Sequence, residues 1–215
     1  MTTSTLSLIE TVRVRGGKAP LWHLHLRRLV ASCRALGIPF PLEFAVPQGG
    51  ADRVHRLMVS ARGVQLNERE VAATRPVRLV TSSVMHRPYP HKTSDRAQFG
   101  EAGEAAQVLG ADDGLMLTVS GQVAECSIWS LFWWEGESLC APALELGILP
   151  GVARMRITEL APISERKVRR NELDKVSMFV ANAARGIVPV AELDGRVDPP
   201  RDATVRLQQR FWETT

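Results

Sequence analysis

Lys92 sits in His91-Lys92-Thr93-Ser94-Asp95-Arg96, behind a strand-like run and the turn-rich Arg87-Pro88-Tyr89-Pro90. Further on, Gly121-Gln122-Val123-Ala124-Glu125 reads as a turn feeding a strand that carries one acid among apolar residues. Then Leu146-Gly147-Ile148-Leu149-Pro150-Gly151-Val152-Ala153-Arg154 is a glycine-rich turn that opens a helix. A lysine amine adds to an aldehyde only while partly neutral, and burial near other cations keeps it so. An acid on an apolar strand needs a partner. A helix N-terminus presents free amides and a positive dipole end to a phosphate. Singly these signals are ordinary, since a lone loop lysine is usually solvated surface. In this order they are the set that pyridoxal phosphate chemistry requires.

The elements that position them follow from periodicity. Thr5 to Val14 alternates as a strand, and Gly16-Gly17 ends it. Trp22 to Leu36 is an amphipathic helix with Leu26, Leu29, Cys33 and Leu36 on one face, stopped by Gly37-Ile38-Pro39. Val46 to Asp52 reads as a loop, and Val54 to Ser60 and Pro76 to Val84 as strands of the same first lobe. A helix is predicted over 94–109, capped by Ser94 or Asp95 and ended by Gly110. Leu115 to Val119, Val123 to Ser127 and Ile128 to Trp134 are predicted as a meander of strands. Val152 to Leu160 is predicted helical, Lys175 to Ala181 a strand, and Asp202 to Glu213 a terminal helix. The fold class is therefore α+β in two lobes: residues 1–87 form a small N-terminal lobe and 88–215 a larger one with a mostly antiparallel or mixed sheet.

At 215 residues the chain can bury one substantial core or two small lobes sharing an interface. Its 45% hydrophobic and 23% charged content are those of an ordinary globular protein. No apolar run approaches the roughly 18 residues of a membrane span, and Met1-Thr2-Thr3-Ser4 has no signal-like pattern, so a cytoplasmic location and no membrane partner are expected. Cys33, Cys126 and Cys140 are widely spaced among apolar neighbours and read as reduced, buried thiols rather than metal ligands. The net charge of +4 is spread along the chain, aromatic residues are few, and no nucleic-acid motif appears, which argues against nucleic acid and for a small anionic substrate.

The same residues resemble the class IV aminotransferase family, fold-type IV pyridoxal-phosphate enzymes. His25-Leu26-Arg27-Arg28-Leu29 matches the family's H-L-x-R-L, preceded by Leu8-Ile9-Glu10-Thr11-Val12-Arg13. The turn Leu149 to Arg154 matches L-x-G-[IV]-[TA]-R, and Phe179-Val180-Ala181-Asn182-Ala183-Ala184-Arg185-Gly186-Ile187-Val188-Pro189-Val190 resembles F-L-x-N-S-x-x-G-[IVW]-x-P-V. The resemblance covers about residues 7 to 195. It implies that Lys92 bonds the pyridoxal 5'-phosphate aldehyde and acts as the catalytic base. It also implies that Glu125 pairs with the pyridine nitrogen and that Arg28 binds the phosphate by a bidentate fork. Val152 and Ala153 then donate backbone N–H groups to that phosphate, with Ala183 beside it.

Several positions depart from the pattern. Family members usually begin with an extra strand and a Y-G-x-G turn, whereas this chain starts almost at Glu10-Thr11. Ser130 replaces the usual Asn, and Ala153 and Ala183 stand where hydroxyls often touch the phosphate, each loss worth about 0.5–1.5 kcal/mol. The compact opening and H-K-T-x-x-R look most like the 4-amino-4-deoxychorismate lyase branch, which splits that substrate into 4-aminobenzoate and pyruvate. Ala97, five residues after Lys92, stands where aminotransferases of the family commonly have tyrosine. Arg13 and Arg96 are the cations expected to meet substrate carboxylates. A homodimer is expected, with Trp129, Trp133 and Trp134 offering more apolar surface than one lobe readily buries. The alternatives are a D-amino-acid or branched-chain aminotransferase, and a non-catalytic member with a degenerate site.

Overall fold

The computed structural model describes residues 6–41, 50–197 and 201–213. The predicted first strand is β1, Leu8–Val14, paired antiparallel with β2, Arg53–Ser60, which turns into β3, Gly63–Arg69. Gly63 at the turn has φ 113°, a conformation open to glycine and strained for other residues. The helix α1, Trp22–Leu36, has the predicted bounds and ends at Gly37 in the left-handed region, whose N–H reaches Cys33 C=O. It covers one face of β1, where Leu8, Leu29, Cys33 and Val59 form a small core. Of the loop predicted over 46–52, residues 46–49 lie outside the described residues, as does Thr5, and 50–52 have no regular structure.

The second sheet contains β4 (Val77–Thr81), β5 (Asp113–Leu117), β6 (Val123–Cys126), β7 (Ser130–Glu135), β8 (Ser138–Pro142), β9 (Ser164–Arg166), β10 (Ser177–Asn182), β11 (Gly186–Leu193) and β12 (Arg196–Val197). Their order is β6-β5-β4-β11-β10-β7-β8-β9, with β12 on β11. The pairs β4/β5, β4/β11 and β8/β9 are parallel and the others antiparallel, which gives the expected mixed sheet. The sheet curls until its ends meet: Val123 N–H donates to Val168 C=O at 2.8 Å. Both faces are buried. Along β7, Leu131 and Trp133 enter one core, while Phe132 and Trp134 enter the other, where Phe132 stacks on Phe179. The helices α3 (Val152–Leu160) and α4 (Asp202–Arg210) cover that second face, and α2 (Ala97–Val108) packs on β5.

Several expectations change. The strand predicted over 76–84 belongs to the large sheet, not to the first lobe, so the chain passes between sheets along 70–76, before the proline-rich turn. Its run of apolar residues is that of a strand buried between neighbours. The meander breaks after β6: β7 pairs with β10 and β8 because Asp113 and the 127–129 turn carry the chain across the curl. Neither Ser94 nor Asp95 caps α2; Arg96 holds that position without a side-chain cap. Ser94 is already committed to the first lobe, its N–H on Ser7 C=O and its hydroxyl accepting from Ser7 N–H. Trp129, Trp133 and Trp134 are buried within the protomer, so these three side chains offer no apolar surface to a second copy. No described helix is long and apolar enough to cross a membrane.

Gly114 on β5 is where α2 comes closest: a Cβ there would stand 2.7 Å from Ala102 C=O. Gly114→Ala should therefore lower stability by about 1–3 kcal/mol. A denaturant midpoint equal to the parent's would refute the close approach.

Candidate active site

A cavity of about 440 Å³ lies between the small sheet and the large one, within the usual ~300–1,000 Å³ of small-molecule sites. On one side it is walled by Ile9 and Thr11 of β1 and by the rung Arg56–Asn67 across β2 and β3. The other wall comes from the end of β6, the start of α3 and the turn after β10.

Lys92 lines this cavity. Its backbone is strapped to β1, with Ile9 N–H donating to Lys92 C=O at 2.7 Å and Thr93 bridging Leu8. Tyr89 fixes the other side of the loop, its hydroxyl between the N–H and C=O of Thr93 and its own N–H on Gly147 C=O. Burial pushes the Lys92 ammonium down from 10.5 to about 7, and the guanidinium charges of Arg96 and Arg28 push the same way. Of the neighbours in sequence only Arg96 contributes: His91 faces Ser32 Oγ, and the Arg87 backbone pairs with Gln98.

Beneath Lys92 is a cluster that the sequence revealed only in part. Arg28 gives two hydrogen bonds to Glu10, at 2.9 and 2.5 Å, and His25 Nδ1 meets the same carboxylate at 2.5 Å. Burial alone would raise the Glu10 carboxyl, but the charge of Arg28 and the bonds from His25 and Arg28 outweigh it and bring it to about 2. Burial lowers His25, with Glu10 opposing and Arg28 and Lys92 adding. Glu10 and His25 were legible only as flanking matches. The signal available was an acid on the buried face of an alternating strand, opposite a helix with arginine on its inner face.

Glu125 is buried at the end of β6, where its Oε1 accepts from His86 Nε2 at 3.0 Å and from Leu149 N–H at 3.1 Å. Neither bond uses Oε2. His86, which the sequence did not single out, is held by its own N–H on Leu117 C=O. Asp113 fixes the following turn by accepting from the amides of Gly114, Ser127 and Ile128.

At the start of α3, Val152 and Ala153 line the cavity, and first-turn amides have no acceptor within a helix. Gly151 makes the approach possible, since a Cβ there would stand 3.0 Å from Ser130 Oγ. Ser130 lines the same wall, so a polar side chain stands beside the start of α3. Ala183 also lines it, on a turn whose Ala184 and Arg185 amides are bound by Asn182 Oδ1. Arg96 lines the cavity too, lying 4.6 Å over Phe99 and donating to Ser127 C=O. Arg13 does not; it pairs with Asp52 at 2.5 Å and reaches Ala184 C=O, a strut between the lobes rather than a group facing a substrate. Lys92, Glu125, Arg28, Val152, Ala153, Ala183 and Arg96 are thus brought together.

The amino-transferase class IV family model matches residues 48–193. The aminodeoxychorismate lyase of Bacillus subtilis is 34% identical over 88 residues, which are 38% of this chain and 30% of that protein. The crystal structure of 4-amino-4-deoxychorismate lyase from Pseudomonas aeruginosa superposes with a TM-score of 0.81 at 27% identity, covering 95% of this chain and 89% of that one. An aminotransferase from Brucella abortus bound to the cofactor PLP gives a TM-score of 0.83 at 20% identity, covering 98% and 89%, a likeness of fold.

Two measurements test this electrostatic arrangement. A lysine held near 7 costs stability in full below that pH, and the cost fades between 7 and 10.5 as the unfolded-state amine also becomes neutral. Cofactor-free Lys92→Met should therefore exceed the parent in stability below pH 7, by up to about 5 kcal/mol, with the gap closing toward pH 10.5. A gap independent of pH would contradict a neutral Lys92. Glu10→Gln strands Arg28 in the interior and should cost about 3–5 kcal/mol by chemical denaturation; a loss below 1 kcal/mol would show that Glu10 does not compensate that charge.

Proposed function

Because this chain belongs to the amino-transferase class IV family, whose enzymes use pyridoxal phosphate, we propose that it is a lyase that splits 4-amino-4-deoxychorismate into 4-aminobenzoate and pyruvate. The donor set fits the cofactor. Lys92 is an amine kept near neutrality, the α3 amides and Arg28 suit a phosphate, and Glu125 keeps Oε2 for a ring nitrogen. Gly151 leaves the space that a side chain would fill. When bound, the cofactor supplies an electron sink for the carbanion formed at the carbon that bears the substrate amine.

The protein's own work is then proton handling and placement. Neutral Lys92 can take the proton from that carbon, as its lowered affinity for protons allows at neutral pH. Glu125, fixed by His86 and Leu149, would meet the ring nitrogen of the bound cofactor. Arg28 and the α3 amides would hold its phosphate end, which would place the reacting carbon near Lys92.

The observation that carries lyase over aminotransferase is the cation that follows Lys92 on the cavity wall. Arg96 lines the cavity and lies over Phe99, while Ala97, which opens α2, is exposed and stands off the lining. A transamination cycle must reprotonate, release a keto acid and accept a second substrate. A lyase needs only proton removal and expulsion of a leaving group, with an aromatic product driving the step. The likeness to the Pseudomonas aeruginosa enzyme at 27% identity supports the same reading.

Protein supplied with cofactor should absorb in the near-visible region, and borohydride should fix the group on Lys92; no such adduct would leave a non-catalytic member of the family. Aminodeoxychorismate should yield aminobenzoate and pyruvate. Robust glutamate formation from leucine or D-alanine with 2-oxoglutarate, with no aminobenzoate in the first assay, would establish an aminotransferase instead.

A further inference from the structure

Cations outnumber acids on the cavity lining in a way the cofactor does not account for. Arg28 is matched by Glu10, and Glu125 is engaged by His86 and Leu149. That leaves Arg56, Arg69, Arg96 and Arg185 against Glu68, which is turned toward His55. None of these four arginines forms an ion pair among the described residues.

Two of them approach from opposite sheets. Arg69 closes β3, on the face that carries Asn67 toward the cavity, opposite Val54 on β2. Arg185 lies on the turn between β10 and β11, and its guanidinium sits 5.3 Å over the ring of Trp129. Its support is rigid: Trp129 is 3% exposed, and Asn182 Oδ1 accepts from Arg185 N–H at 2.9 Å while its Nδ2 donates to Ile128 C=O. The charge of Arg69 reaches Arg185 and, after burial, disfavours its protonated form. The acids that oppose this effect are Asp113 and Asp112, and both are spoken for, Asp113 by three amides and Asp112 by Arg75 and the Arg78 amide. Two guanidiniums that repel across a cavity, neither paired with a carboxylate among the described residues, favour an anion that bridges them.

We propose that Arg69 and Arg185 form an anion subsite spanning the two sheets across the cavity, which selects substrates carrying a carboxylate remote from the reacting amine. This rests on the reading that the amine reacts at Lys92, and it assigns the two residues that discriminate amines with a second carboxylate from those with one. Arg185 is the specificity-determining group, because the Trp129 face fixes where its fork points. Arg69 completes the subsite only while the small sheet stays against the large one.

The test uses cofactor-loaded protein and two unreactive probes, isophthalate with two carboxylates and benzoate with one, titrated by calorimetry. Isophthalate should bind at least tenfold more tightly than benzoate. Arg69→Met and Arg185→Met should each remove most of that preference and leave benzoate affinity within about twofold. Arg185→Lys should restore part of it, showing that the fold is intact. Near-visible absorbance should be unchanged in all three. Equal binding of the two probes by the parent, or a preference that survives the double substitution, would overturn the subsite. If the preference holds while aminodeoxychorismate is not cleaved, the subsite stands and the lyase reading falls. Absence of the near-visible band with the preference intact would reject the cofactor reading alone.

Discussion

The contact between Glu10 and Arg28 is what the rest of the site depends on. A guanidinium buried as deeply as that of Arg28 needs a carboxylate to meet it, and Glu10 does so with both oxygens while also taking His25. This compensation lets Arg28 remain beside Lys92 and help depress its proton affinity without destabilising the junction of β1 and α1. Because β1 also straps the Lys92 backbone through the Ile9 N–H, one strand fixes the lysine along its edge and carries the counter-charge on its buried face. Backbone hydrogen bonds lie in the plane of a strand and side chains stand out of it, which makes that double duty possible.

The phosphate end of the proposed site is built differently, from backbone. Amides at the start of α3 would need no side chain to hold a phosphate, so alanine at 153 and 183 is compatible with that proposal. What that end does need is room. Gly151 supplies it, and Ser130 on β7 returns a hydroxyl to the same wall. The positions of the two alanines therefore cost at most single neutral hydrogen bonds, while the amide geometry, fixed by helix formation, is retained.

The two cationic regions of the cavity consequently have different characters. Around Lys92, Arg28 is matched by Glu10, the lysine is held near neutrality by burial, and Arg96 rests on Phe99 and Ser127 C=O. Across the cavity, Arg69 on the small sheet and Arg185 on the large one are without an ion-pair partner among the described residues. The mild basicity of the whole chain, spread thinly in the sequence, is locally concentrated where an anion would enter.

Local pattern by itself determined much of this. The bounds of α1 and α3 follow from apolar spacing closed by Gly37 and opened by Gly151, and Lys92, Glu125, Arg28 and the α3 turn were recognisable by type, spacing and family resemblance. Local signals sufficed because helix periodicity and turn chemistry are set within a few residues. Only the tertiary structure decided the rest. The run at 76–84 could belong to either lobe, since a buried strand looks alike in any sheet, and parallel pairing with β5 and β11 settled it. Ser94 lost its capping role because Ser7, just ahead of β1, claimed its N–H and hydroxyl. Glu10, His86, Arg69 and Arg185 acquired their partners, or their lack of them, from elements far away in sequence. Arg13 was drawn to Asp52 for the same reason. Electrostatic roles depend on distances in space, and no spacing along the chain specifies those.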